Sequence, residues 1–238
     1  MNRIQNDTLL SYVRGVPILH QGPQRLFKKL FVSLHQIVNR KETIMELSLE
    51  LNKRYTYADY LTWLDNKSRE LINGFIQMMS PAPRMEHAKV SHRISLYLGL
   101  YSIKNKGNCE VFTAPFDVRF PKGGEIADDK IDTVVQPDIC VICDSSKLDE
   151  RGCCGTPDMI VEILSPSTLK KDVNDKFFLY EEAGVKEYWI VHPKDKTVNV
   201  FLLQETGKYD DGTLYEREGN VPVHTFNNYL IDLNDIFS

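Results

Sequence analysis

The order of helical and β-rich patterns along the chain predicts a single α/β domain with a mixed central sheet flanked by helices. Apolar residues recur at helical spacing over residues 85–104, and short apolar runs rich in Val, Ile and Phe precede and follow that segment. The chain has 238 residues, 42% of them hydrophobic, which is enough for one large domain or two small ones, and the order of elements favours one. We expect this domain to occupy residues 45–238.

The first elements of the domain are marked by a helix cap and a turn. In "TYADYLTWLD", Thr56 precedes a helical pattern and Asp59 follows three residues later, which is the spacing of a capping box. The pair Asn73-Gly74 predicts a turn before a short strand that closes at Pro81.

The middle of the chain alternates strands and helices. The helix over 85–104 ends before Gly107 and is followed by two predicted strands, "EVFTAPFDVRF" and "TVVQPDICVIC", which a charged loop over 121–133 connects. A buried strand over 158–164 comes next, then a helix that stops at Gly184. The runs "KEYWIVHP" and "KTVNVFLL" predict a hairpin, and residues 213–238 predict further short strands.

Residues 1–44 differ from the rest of the chain in charge and pattern. They hold seven basic and two acidic residues, whereas the remainder holds 22 basic and 31 acidic ones. Apolar residues at helical spacing over 24–38 predict an amphipathic helix. Two interpretations stay open: a basic arm that docks a partner, or a coding start at Met45, since Lys41-Glu42 can be encoded by a purine-rich ribosome-binding sequence.

Composition and cysteine usage limit the cellular setting. No apolar stretch approaches the ~20 residues that span a bilayer, and the N-terminus lacks the apolar core of a secretory signal. The five cysteines could suggest zinc, but Cys140 and Cys143 lie in one predicted strand with side chains on opposite faces, and the adjacent Cys153 and Cys154 chelate poorly together. We therefore expect reduced thiols and a cytoplasmic protein.

A carboxylate inside the apolar strand of "PDMIVEILS" needs a physical reason. Burying an unpaired Glu162 would cost several kcal/mol or raise its pKa. Asp158 lies four residues earlier on the same strand, about 13 Å away, which is too far to share an ion. Asp138, in "QPDICVIC", belongs to another strand that can pair beside Glu162. Geometry therefore favours Asp138 with Glu162, while Asp158 caps the start of the strand or faces solvent.

Two neighbouring carboxylates favour a divalent cation between them. Mg²⁺ accepts one or two carboxylates together with water, and the carbonyl oxygen of Ile163 could add a neutral ligand. Lys176, in the following helix, could orient a water molecule or hold a phosphate. The alternative interpretation is that Lys176 is a solvated side chain paired with Asp172, four residues earlier on the helix.

These sequence blocks resemble one known family. "RELINGFIQMMSPAPRMEHAKVSHRI", "QPDICVIC", "GTPDMIVEILSPST" and "KDVNDKFFLYEEAGVKEYWIVHP" are together similar to the Uma-two proteins, bacterial proteins labelled restriction endonucleases within the PD-(D/E)XK nuclease superfamily. The resemblance runs from about Met45 to Phe201 or beyond. It implies a restriction-endonuclease-like αβββαβ core with Asp138 and Glu162 as the acidic residues of the signature.

The resemblance also carries expectations about the site. The superfamily pattern would place a lysine at 164, where this chain has Leu164, and Lys176 looks like a substitute that reaches the same space. His87 and Glu70, unremarkable on spacing alone, match family positions near the site. The implied function is a Mg²⁺-dependent DNA endonuclease, with Mn²⁺ as an alternative metal.

Two functions remain open at this point. The first is the endonuclease, for which cutting both strands would favour a homodimer because one site cuts one strand. The second is a catalytically silent binding or assembly protein that keeps the nuclease fold, an alternative motivated by Leu164 and by the acidic balance of the domain.

Overall fold

The structure is a computed structural model that describes residues 49–65, 67–79, 84–165 and 171–238, without the side chains of residues 171–173. The predicted helix over 24–38, the two interpretations of residues 1–44, the strand end at Pro81 and the pairing of Lys176 with Asp172 fall outside what is described.

Four α-helices and fourteen strands make up the described chain. The helices are α1 Tyr57–Tyr60, α2 Met85–Lys104, α3 Lys171–Ala183 and α4 Leu233–Phe237. The strands are β1 Arg69–Ile72, β2 Phe75–Met78, β3 Glu110–Thr113, β4 Val118–Arg119, β5 Val134–Val135, β6 Ile139–Ile142, β7 Leu148–Asp149, β8 Gly152–Cys154, β9 Met159–Ile163, β10 Glu187–His192, β11 Thr197–Leu202, β12 Thr213–Glu216, β13 Asn220–Val223 and β14 Tyr229–Asp232. None of the helices in the described ranges is long and apolar enough to cross a membrane.

The central sheet confirms the predicted αβββαβ order. Its strands lie in the order β12-β11-β10-β9-β6-β3. Helix α2 precedes the antiparallel meander β3-β6-β9, and α3 connects β9 to β10, which runs parallel to it. A parallel neighbour requires a crossover connection, and α3 supplies it.

The central sheet is covered on both faces. On one face, Val90, Ile94 and Leu98 of α2 pack with Ile139 and Val161 of the sheet. On the other face, Cys140 and Ile160 of the sheet pack with Tyr180 of α3 in a second apolar cluster. The strands β6 and β9 are therefore buried on both sides, as their nearly continuous apolar sequences predict.

A second sheet divides the two long strands that the sequence predicts over 110–120 and 133–143. Its order is β2-β1-β5-β4-β8-β7, so β4 and β5 join this sheet while β3 and β6 join the central one. Each division falls at a proline, Pro115 or Pro137, where the missing N–H ends a ladder of hydrogen bonds. The prediction of two continuous strands is therefore wrong. The break at Pro137 places Asp138 immediately before the first residue of β6.

Local signals are confirmed where a specific backbone geometry is needed. The Thr56 side chain and the Asp59 side chain form the predicted capping box, although helix α1 is only four residues long. Asn73 and Gly74 take positive φ values of 53° and 83° in the turn between β1 and β2. Gly184 ends α3 at φ 82°, a conformation that glycine adopts without steric cost.

The expectation of five reduced thiols is wrong for one pair. Cys109 and Cys143 form a disulfide. The antiparallel register pairs Glu110 with Ile142, so the next residues outward, Cys109 and Cys143, face each other across β3 and β6. Cys140, Cys153 and Cys154 are free. Cys140 and Cys143 do lie on opposite faces of the sheet, as predicted.

Candidate active site

Asp138 and Glu162 are neighbours across two antiparallel strands. The β6–β9 register pairs Ile139 with Val161, and one residue further it sets Asp138 opposite Glu162. The Asp138 carboxylate accepts a hydrogen bond from the backbone N–H of Ile163, with Oδ2 2.7 Å from the nitrogen. The predicted pair of carboxylates therefore meets where β6 begins and β9 ends.

Glu162 is a carboxylate in a mostly buried position, with a side chain 13% exposed. Its Oε1 accepts hydrogen bonds from Tyr180 Oη at 2.7 Å and from Lys176 Nζ at 3.0 Å. Burial raises the pKa of Glu162 to about 7; Lys176 acts against this rise, and the negative charges of Asp138 and Glu70 add to it. A divalent cation added beside this carboxylate would favour its ionised form more than Lys176 does alone.

Lys176 connects two carboxylates from different sheets. Its Nζ lies 2.8 Å from Glu70 Oε1 and 3.0 Å from Glu162 Oε1, and its side chain is 13% exposed. Burial alone would lower the pKa of Lys176, but the two carboxylates reverse this and raise it, so the side chain stays an ammonium ion. Leu164 packs against the apolar cluster beneath α3 instead, so the cation near Glu162 comes from the helix.

Glu70 brings the second sheet into the site. It lies on β1, is 5% exposed, and its Oε1 accepts both the Lys176 ammonium and the backbone N–H of Gln136 at 2.8 Å. The side-chain amide of Gln136 donates to Asp117 Oδ1 at 2.7 Å. The Glu70 carboxylate is therefore held by two donors, one from α3 and one from the backbone. The sequence analysis missed Gln136 because its contact with Glu70 is made by a backbone N–H, which a pattern of side chains does not indicate.

His87 reaches the same cluster from the first turn of α2. Its Nε2 lies 3.2 Å from Asp138 Oδ2. Burial lowers the pKa of His87, but Asp138, Glu162 and the carbonyl oxygen of Ile163 more than offset this, so the pKa is raised above its ordinary value. All five side chains that the sequence analysis singled out thus converge: Asp138, Glu162, Lys176, His87 and Glu70.

Asp158 lies apart from the cluster, at the other end of β9. Its Oδ1 accepts from Lys186 Nζ at 2.7 Å, and its Oδ2 accepts from the backbone N–H of Cys143 at 2.8 Å. With an exposure of 7% it does not face solvent, and its carboxylate bonds to the N–H of the residue that follows β6, beside the start of β9. Two Pro-Asp pairs of similar sequence therefore occupy different environments.

The donor set of the cluster fits a hard cation. Within the described ranges no group of three or more His, Cys, Asp or Glu side chains has metal-binding geometry. Mg²⁺ needs no such group, because it commonly takes one or two carboxylates and keeps several waters. Burial is the largest cause of the raised pKa of Glu162, and the charges of Asp138 and Glu70 add to it, so a divalent cation beside this pair of carboxylates would favour its ionised form.

The fold and this cluster together define a nuclease-like α/β protein. The chain belongs to the Uma2 family, whose model, described as "Putative restriction endonuclease", matches residues 57–233. No curated protein matches the chain. Among solved structures, a putative nuclease belonging to DUF820 from Anabaena variabilis matches with a TM-score of 0.60 and 22% identity, covering 77% of this chain and 97% of that one. At that identity the match shows the shared fold.

Proposed function

We propose that the protein is a Mg²⁺-dependent DNA endonuclease that hydrolyses phosphodiester bonds, with residues 45–238 as its nuclease domain. The observation that carries the proposal is the convergence of Asp138, Glu162 and Lys176 where β6 begins and β9 ends in the central sheet. Membership of a family described as restriction endonucleases supports the reaction class and a DNA substrate. Mn²⁺ has the same preference for oxygen ligands and is the expected substitute.

Asp138 and Glu162 would hold the metal ion, with the carbonyl oxygen of Ile163 as the proposed neutral ligand. When bound, such an ion lowers the pKa of a coordinated water and stabilises negative charge on a phosphodiester oxygen. His87 contacts Asp138 Oδ2, and the N–H of Ile163 contacts the same oxygen, so both fix the orientation of that carboxylate. Groups that hold metal ligands in place contribute to metal affinity.

Lys176 is the proposed cationic group of the reaction. Its ammonium carries three N–H donors, and two of them are occupied by Glu70 and Glu162. The third donor could hold a phosphate oxygen or orient the attacking water. Glu70 holds the ammonium from the side of the second sheet, which keeps it beside Glu162. Cutting both DNA strands would require two such sites, so we propose a homodimer for that activity.

A silent binding or assembly protein is the second candidate. Two observations favour it: Leu164 replaces the superfamily lysine, and both Lys176 and Glu162 already have partners within the described chain. This candidate predicts that Mg²⁺ leaves the melting temperature unchanged, whereas a protein that binds the ion only in its folded form is stabilised by it.

The test is cleavage of supercoiled plasmid DNA with Mg²⁺, or with Mn²⁺ in its place, against an EDTA control. The wild type should nick or linearise the plasmid, and the Glu162→Ala and Lys176→Ala proteins should lose at least about 100-fold in rate. Equal activity in all three proteins would mean a contaminant or a different site.

A further inference from the structure

We infer that Tyr180 is a positioning residue that orients the Glu162 carboxylate for a divalent metal ion, an inference that rests on the proposed function. The sequence places Tyr180 among core aromatics, and its ring is indeed fully buried. Its hydroxyl, however, lies 2.7 Å from Glu162 Oε1 and donates a hydrogen bond to it. The residue thus belongs both to the core and to the polar cluster.

Helical spacing places Tyr180 and Lys176 on one carboxylate oxygen. The two residues are four positions apart on α3, so their side chains share a face of the helix. Both donate to Oε1 of Glu162, at 2.7 Å and 3.0 Å. Within the part of the chain that the structure describes, Oε2 receives no hydrogen bond. Among the described residues both donors therefore go to Oε1, and in this proposal Oε2 is the oxygen that would bind the cation.

The ring of Tyr180 is held by its neighbours, which makes its hydroxyl a rigid donor. It packs edge-on against Tyr188, with ring centroids 5.1 Å apart, and lies 6.2 Å from the ring of Phe120. A donor fixed by core packing does not need to be ordered when the metal binds. Outer-shell groups of this kind typically account for 10- to 100-fold in metal affinity.

The chain offers a matched control for the hydroxyl. Tyr188 is a second fully buried tyrosine in the same aromatic cluster, and its hydroxyl has no hydrogen-bond partner within the described residues. Tyr188→Phe removes a buried hydroxyl from the same core without removing a bond to Glu162. Any effect of Tyr180→Phe beyond that of Tyr188→Phe belongs to the contact with the carboxylate.

The experiment is a titration of the full-length proteins with Mn²⁺, followed by the electron paramagnetic resonance signal of the free ion. We expect Tyr180→Phe to weaken Mn²⁺ binding by about 10-fold relative to the wild type, and Tyr188→Phe to leave it within about twofold. In the plasmid assay, the half-saturating Mg²⁺ concentration should rise for Tyr180→Phe, while the rate at saturating Mg²⁺ stays within about fivefold.

Each contrary result has its own meaning. Equal Mn²⁺ affinities in Tyr180→Phe and the wild type would overturn the positioning role, even if the metal-free melting temperature falls, because that pattern describes packing alone. Equal weakening in both tyrosine variants would overturn it too. A wild type that binds no Mn²⁺ would overturn the proposed function together with this inference.

Discussion

The ammonium nitrogen of Lys176 lies 3.0 Å from Oε1 of Glu162, although the residues are 14 positions apart and belong to a helix and a strand. This contact connects the helix that follows β9 to the strand itself. It supplies a cation at the place where Leu164, two residues after Glu162, cannot. We therefore expect this contact to contribute both to the stability of the fold and to the proposed chemistry.

Removing the Lys176 cation should destabilise the metal-free protein. Lys176→Met would leave Glu70 and Glu162 buried without a counter-ion, which typically costs about 3–5 kcal/mol of unfolding free energy. Urea denaturation at pH 8 measures the change. Lys186→Met is the matched control, because its ammonium is 74% exposed in its pair with Asp158 and should contribute less than about 1 kcal/mol. Equal stabilities of the two variants would show that Lys176 is not a buried counter-ion.

The stability of the metal-free protein should depend on pH through Glu162. Burial raises the pKa of this group from 4.5 to about 7, so the folded protein holds the proton more tightly than the unfolded chain. The stabilising contribution is complete below about pH 4.5 and is lost as the pH rises through about 7. Glu162→Gln should therefore lie within about 1 kcal/mol of the wild type near pH 5 and exceed it by up to about 3 kcal/mol at pH 8.

Urea denaturation of the two proteins from pH 5 to pH 8 measures this difference. A constant gap across that range would contradict the raised pKa of Glu162. Adding Mg²⁺ at pH 8 should then stabilise the wild type and leave Glu162→Gln unchanged, because the glutamine lacks the charge that binds the ion.

Asp158 should behave as a structural carboxylate. Burial acts to raise its pKa, but Lys186 and the N–H of Cys143 lower it below the ordinary value. A lowered pKa contributes stability above about pH 4, and that contribution is lost as the pH falls through the folded-state value. Asp158→Asn should thus lose about 1–3 kcal/mol at pH 7, and the loss should shrink in acid. Thermal melts at pH 7 and pH 3.5 compare the two conditions, and a larger loss in acid would contradict this role.

The disulfide between Cys109 and Cys143 should stabilise the edge of the central sheet. It joins residues 34 positions apart, and closing a loop of that length typically contributes about 2–4 kcal/mol. Dithiothreitol should lower the melting temperature of the wild type and leave a Cys109→Ser, Cys143→Ser protein unaffected. An equal melting temperature of the wild type with and without the reductant would contradict a stabilising bond.

Much of the site could be predicted because its residues are chemically conspicuous. Glu162 interrupts an apolar strand, and strand spacing excludes Asp158 as its partner in favour of Asp138. The family resemblance then added His87 and Glu70, which spacing alone leaves ordinary. The structure places all five side chains in one cluster, and their catalytic roles remain predictions.

The features that were missed depend on geometry that a one-dimensional pattern does not carry. Tyr180 lies four residues after Lys176, a usable signal, but a buried tyrosine beside other aromatics is ordinarily core. The pairing of Cys109 with Cys143 depends on the register of β3 against β6, which the sequence pattern alone does not specify. The second sheet was missed because Pro115 and Pro137 interrupt strands whose apolar pattern continues through them.

The most direct test compares two aspartates that follow proline in the same way. Asp138→Asn and Asp158→Asn remove one charge each, at opposite ends of the same pair of strands. In the Mg²⁺-dependent plasmid assay, we expect Asp138→Asn to lose at least about 100-fold in cleavage rate and Asp158→Asn to stay within about threefold of the wild type at 25 °C. If Asp138→Asn cuts DNA as fast as Asp158→Asn, the site proposed here is not the one that hydrolyses DNA.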